Sequence, residues 1–91
     1  MKTEVVDRPE AHRYEVLAGG EIAGYVEYQL DPGTITLIHT EIDEAYEGKG
    51  LGSVLVRHVL DDARERGLAV LPVCPFVRGW IGRHGDYLDL V

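Results

Sequence analysis

Glu47-Gly48-Lys49-Gly50-Leu51-Gly52 lies between a β-branched run, Thr34 to Ile42, and an amphipathic stretch from Gly52 to Arg66. Three alternating glycines let the backbone turn tightly and approach a ligand closely. The helix start beyond them offers unpaired N–H groups and the positive end of a dipole. Strand, glycine loop and helix therefore form a seat for a phosphorylated ligand. Two familiar seats do not fit. No Lys-Ser/Thr pair follows the glycines, as a P-loop requires. The spacing Gly48-x-Gly50-x-Gly52 also differs from the dinucleotide fingerprint, which follows the first strand of a βαβ unit.

Working outward, the stretch before the loop reads as an antiparallel meander. Arg13 to Leu17 alternates, Ala18-Gly19-Gly20-Glu21 turns, and Ile22 to Leu30 forms a second strand. In that strand Ile22, Gly24, Val26 and Tyr28 share one face. Asp31-Pro32-Gly33 is a turn before the third strand, Thr34 to Ile42. A short extra strand is expected around Glu4 to Asp7. After the loop, Leu51, Val54, Leu55, Val59 and Ala63 form the apolar face of the helix. Gly67 suits its C-terminal cap. Leu68 to Val73 reads as a strand buried on both faces and parallel to the third strand. Pro75 opens a second helix running to about His84, with Phe76, Val77, Trp80 and Ile81 as its apolar face. Asp86 to Val91 is a tail. The expectation is one mixed α/β (α+β) domain over residues 1–91: a meander, a β-loop-α-β crossover and a C-terminal helix.

Composition narrows the function. Hydrophobic residues make up 45% of the 91, as in a folded globular domain. The formal net charge is −7. Residues 1–46 hold three Lys/Arg against ten Asp/Glu, whereas residues 47–91 hold six of each. The excess acidity thus precedes the glycine loop, which argues against a nucleic-acid surface. It suits a divided site, with an anion on the C-terminal half and a cation near the N-terminal half. One cysteine, Cys74, excludes an internal disulfide and a cysteine-rich zinc site. The four histidines show no metal-ligand spacing, so no metal is expected. With no signal-like start and no membrane-length apolar run, a cytoplasmic protein without membrane partners is expected.

The run from Ile42 to Gly52, with Tyr46 ahead of the glycines, resembles motif A of the GNAT superfamily of CoA-dependent N-acetyltransferases, Gln/Arg-x-x-Gly-x-Gly/Ala. His39-Thr40-Glu41, Cys74-Pro75-Phe76-Val77 and the ending from Arg83 to Val91 look like the very short, YjdJ-type branch of GNAT-like proteins. The resemblance spans nearly the whole chain and implies a reduced GNAT-like fold with acetyl-CoA as cosubstrate. Backbone N–H groups of Gly48, Lys49, Gly50, Leu51, Gly52 and Ser53 would hold the pyrophosphate. The strand edge at Thr40 and Ile42 would pair with the pantetheine arm. Side chains at Gly50 and Gly52 would occupy phosphate space. Glu47 stands where the motif has Gln or Arg, placing a carboxylate near the diphosphate, with Lys49 beside it to offset the charge. Pro72, lacking an N–H, is expected to help part the two strands that flank the pantetheine arm.

Three residues are candidates for catalysis. His39 and Glu41 share one side of the third strand, and either suits a general base for an amine. Their alternative role is structural. Cys74 precedes Pro75 at a helix start, which favours a thiolate; its alternative is a small buried apolar residue. Tyr87 serves either as an acid toward the departing thiolate or as tail packing. The chain has no room for the helices and last strands that build the acceptor wall in longer relatives. The acceptor side is therefore open, completed by a second copy in a homodimer, or absent. The reading is an N-acetyltransferase acting on a small-molecule or protein amine. The alternatives are a non-catalytic acyl-CoA-binding or protein-interaction module, and a thiol redox or acyl-carrier protein using Cys74.

Overall fold

The computed structural model describes residues 2–91. Five strands form one sheet in sequence order: β1 (Thr3–Arg8), β2 (Arg13–Ala18), β3 (Glu21–Asp31), β4 (Thr34–Ile42) and β5 (Ala69–Pro72). The first four are antiparallel neighbours, and β5 runs parallel to β4. A parallel neighbour needs a crossover, which α1 (Leu51–Glu65) supplies. Helix α2 (Pro75–Gly82) follows β5, and the tail packs as a 3₁₀ turn, Gly85–Leu90. The expected meander, crossover and second helix are all present.

Both helices cover the same face of the sheet. Leu55, Val56, Val59 and Leu60 of α1 are buried with Val16, Val26, Ile35, Leu37 and Val70. Each such side chain contributes about 1.5–3 kcal/mol on burial. The actual α1 stripe includes Val56 and Leu60, while Val54 lies outside it and is exposed. Because no helix among the described residues covers the other sheet face, β5 is not buried on both sides as expected. Val70 faces the core, but Leu71 and Val73 are exposed. Phe76, expected in the apolar face of α2, is also exposed; Val77, Trp80 and Ile81 are buried.

Two irregularities in pairing decide which side chains face where. Val16 pairs with Gly24 but Leu17 with Ile22, so Ala23 is an extra residue. Ala23 is buried and Ile22 exposed, which separates Ile22 from the face of Val26 and Tyr28. On β4, Leu37 pairs with Tyr28 and His39 with Glu27, leaving Ile38 as an extra residue. A bulge of this kind reverses the alternation of the strand beyond it. Ile35 and Leu37 point into the core, yet Thr40 and Ile42 take the core side after the bulge. His39 and Glu41 turn to the open face, beside Glu27 and Tyr25.

The open face has its own anchor. Glu15 is only 4% exposed, although charged. Arg8 Nε donates to its Oε1 at 3.0 Å and Arg13 Nε to its Oε2 at 2.8 Å. Burial alone would push this carboxyl up, but the two arginines outweigh burial and hold it below the ordinary range. A lowered folded value means stability present above the unfolded value of about 4.3 and lost as pH falls through the folded one. Glu15→Gln is therefore expected to cost about 1–3 kcal/mol at pH 7. The gap from the parent should close at acid pH; urea melts at neutral and acid pH measure both. A gap that stays constant with pH contradicts this account.

Candidate functional site

The glycine loop enters α1 through Gly50, whose φ of +76° lies in the left-handed region. As cap residue it offers no side chain to the first-turn N–H groups, and no acidic residue stands in that turn. The four N–H groups of a helix start otherwise need partners. The residues of that start, Gly50, Leu51, Gly52 and Ser53, line a cleft of about 590 Å³ between the loop, the end of β4 and α2. All the expected cofactor residues, Thr40, Ile42, Glu47, Gly48, Gly50, Leu51, Gly52 and Ser53, line it except Lys49.

The two glycines that matter most do different jobs. Gly50 opens onto free space, and its conformation is what requires glycine. A Cβ on Gly52 would lie 2.8 Å from Cζ of Phe76. Glycine there lets the Phe76 ring close over the helix start, a packing reason that stands beside the phosphate clearance expected from sequence.

Beta-strand pairing leaves a gap beside the loop. β5 pairs with β4 only from Thr34 to Leu37, and Pro72 is the last paired residue. The backbone N–H of Cys74 then donates to Leu37 O at 2.9 Å, and the chain turns into α2. Among the described residues, no strand therefore pairs with the β5-side edge of β4 from Ile38 to Ile42. Pro72 ends the ladder where the gap opens.

Cys74 lies at this junction and is 3% exposed. Its Sγ donates to Thr40 Oγ1 at 3.3 Å, across the gap. Burial pushes the thiol up. The thiolate form accepts instead from the Thr40 hydroxyl and from the backbone N–H groups of Val77, Phe76 and Thr40, which outweighs burial and holds the thiol below its usual value. Cys74 and Thr40 thus meet on the helix side of the sheet. His39 and Glu41 meet each other on the opposite side, with His39 Nε2 3.4 Å from Glu41 Oε2. The three candidate catalytic residues do not form one cluster.

The α2 wall of the cleft was not read from sequence as part of a site. Phe76, Trp80, Arg83 and His84 line it. Trp80 Nε1 donates to Ser53 Oγ at 2.8 Å, joining α2 to the first turn of α1. Its ring stacks on His84 with centroids 3.8 Å apart. The i, i+4 spacing of Phe76, Trp80 and His84 after Pro75 was the available signal. Tyr87 lies outside the cleft lining. Its hydroxyl donates to Asp61 Oδ1 at 2.6 Å, and Arg57 donates to it at 3.3 Å, so it fastens the tail to α1.

A second pocket, of about 700 Å³, opens where β3 starts and β4 ends. Arg13, Ile22, Tyr25 and the carboxylates of Glu41, Asp43 and Glu44 line it. Ile42 and Glu47 line both pockets and form the partition between them. Of the two candidate bases, Glu41 lines this pocket and His39 stands behind it.

Residues 13–90 match the family model described as GCN5-related N-acetyl-transferase. The chain belongs to this family. Streptothricin acetyltransferase of Streptomyces lavendulae is 42% identical over 52 residues, covering 55% of this chain and 28% of that protein. The [ribosomal protein bS18]-alanine N-acetyltransferase of Escherichia coli K12 is 29% identical over 58 residues, covering 64% of this chain and 39% of that protein. The chain thus spans well under half the length of the curated relatives it matches. The solved structure of the Escherichia coli ribosomal-protein-S18-alanine N-acetyltransferase superposes with a TM-score of 0.61 at 27% identity, over 64% of this chain and 38% of that one. A GCN5-like protein of Staphylococcus aureus, at 21% identity, shares the fold with a TM-score of 0.74 over 96% of this chain and 85% of that one. The reduced GNAT-like fold is therefore shown along nearly the whole chain. No helix among the described residues is long and apolar enough to cross a membrane.

Proposed function

We propose that the protein is an acetyl-CoA-dependent N-acetyltransferase acting on a primary amine. The observation that carries this reading is the juxtaposition at the end of β4. An uncapped helix start with no acid in its first turn borders a cleft, and an unpaired strand edge runs into the same cleft. The first suits a diphosphate and the second an extended amide-bearing arm. Arg83 adds a positive side chain to the wall.

Acetyl-CoA supplies an activated acyl group: the amine nitrogen bonds to the carbonyl carbon as the C–S bond breaks, and the thiolate takes up a proton. The chain's own residues divide the remaining work between the two faces. On the helix face Thr40 and Cys74 border the gap that the thioester would reach. On the open face the carboxylates of the second pocket draw in a protonated amine by charge. Glu41 takes the ammonium proton, because only the free amine attacks, and His39 passes it on. The relatives are named for streptothricin and for alanine of ribosomal protein bS18. The acceptor panel should accordingly span small cationic amines and alanine-bearing peptides.

Calorimetry with acetyl-CoA, followed by turnover with that panel, tests the reading. Binding in the micromolar to low millimolar range and amine-dependent CoA release are expected. Binding without turnover above hydrolysis would instead identify a CoA-binding module. Intact mass after incubation with acetyl-CoA, for the parent and for Cys74→Ala, shows whether the thiol is acetylated on the way.

A further inference from the structure

The open face of the sheet holds a chain of contacts that ends on Glu41. Glu15, Tyr25 and Glu41 are register partners side by side on β2, β3 and β4. Arg13, fixed by the buried Glu15, places its guanidinium carbon 4.6 Å from the centre of the Tyr25 ring. The Tyr25 hydroxyl donates to Glu41 Oε2 at 3.0 Å. His39 Nε2 approaches the same oxygen. The His39 and Glu41 side chains are 54% and 61% exposed, so burial does not hold either in one rotamer. Tyr25 is half-buried and clamped between its strand neighbours and Arg13.

We infer that Tyr25 is a positioning residue, whose hydroxyl fixes the Glu41 carboxylate toward the pocket at the start of β3 and the end of β4. This rests on the acetyl-transfer reading above. A side chain free to rotate about several bonds spends little time in the one geometry that receives a proton, and a fixed donor removes that freedom. Arg13 and Glu15 act one step further back by holding the Tyr25 ring. The phenol does not itself exchange a proton with substrate. Its hydrogen bond to Glu41, with burial, raises it above the ordinary tyrosine value, so it stays a donor at neutral pH.

The test is a double-mutant cycle. Tyr25→Phe keeps the ring under Arg13 and deletes only the hydroxyl; Glu41→Gln removes the carboxylate it holds. Tyr25→Phe should lower kcat about tenfold, with KM for acetyl-CoA within about twofold and the melting temperature near that of the parent. Added to Glu41→Gln, it should cause no further loss. A normal kcat in Tyr25→Phe beside a slow Glu41→Gln overturns the inference and leaves the function standing. Losses that multiply in the double variant also overturn it, since the two residues would then act separately. Acetyl-CoA binding with no amine transfer by the parent protein overturns both.

Discussion

Gly50→Val is expected to reduce acetyl-CoA affinity at least tenfold in calorimetry, while the domain still folds. Gly50 caps α1 at φ +76°, a conformation that costs an L residue about 1–2 kcal/mol and a β-branched one more. Nothing lies within 4 Å of the added Cβ, so a clash with the surroundings is not the cause. The strain is relieved by turning the peptide units on either side of Gly50, and those units carry the N–H groups of residues that line the cleft. One misdirected N–H costs a hydrogen bond to a charged group, about 1.5–3 kcal/mol, which is a tenfold to hundredfold loss. Gly52→Ala separates this effect from packing, because its Cβ meets the Phe76 ring instead. Unchanged affinity in Gly50→Val would remove the loop backbone from the binding account.

Trp80→Ala carries the largest expected loss of stability. Trp80 is 2% exposed, donates to Ser53, stacks on His84 and lies under Arg57, 5.2 Å from the ring centre. Truncating a buried tryptophan costs about 3–5 kcal/mol. A domain of this size has roughly 5–14 kcal/mol in total. The melting temperature should fall by about 15–30 °C. Trp80→Phe retains a ring against His84 and loses mainly the bond to Ser53, so about 1 kcal/mol is expected. Thermal and urea melts of the two variants check the ordering. A small loss in Trp80→Ala would mean that α2 is not held to α1 through this residue.

Both variants sit at the junction of α1 and α2, where sequence reading was uneven. The glycine loop was legible because its special backbone demands a special residue. The strand ranges of β2, β3 and β4 were legible because their turn residues, Gly19-Gly20 and Pro32-Gly33, sit between alternating runs. The α2 wall was not, because Trp80 reads as core and His84 as the end of the helix. Only the bond to Ser53 and the stacked rings reveal them as cleft lining. β5 misled for a related reason. An apolar run such as Leu68 to Val73 looks the same whether one face or two will be covered. Coverage depends on where the helices pack, and both pack on one side.

The local order of this protein is written in its sequence: a meander, a glycine loop, an amphipathic crossover helix and a proline-started second helix. Turn chemistry and periodicity act over a few residues, so they can be read without the fold. The allocation of side chains to sides was decided only by tertiary structure. The extra residue at Ile38 sends His39 and Glu41 to one face and Thr40 to the other, where Cys74 meets it. A bulge arises from the match between two strands and the layer packed on them. No single strand contains that information, and it separates the proposed acyl side of the site from the amine side.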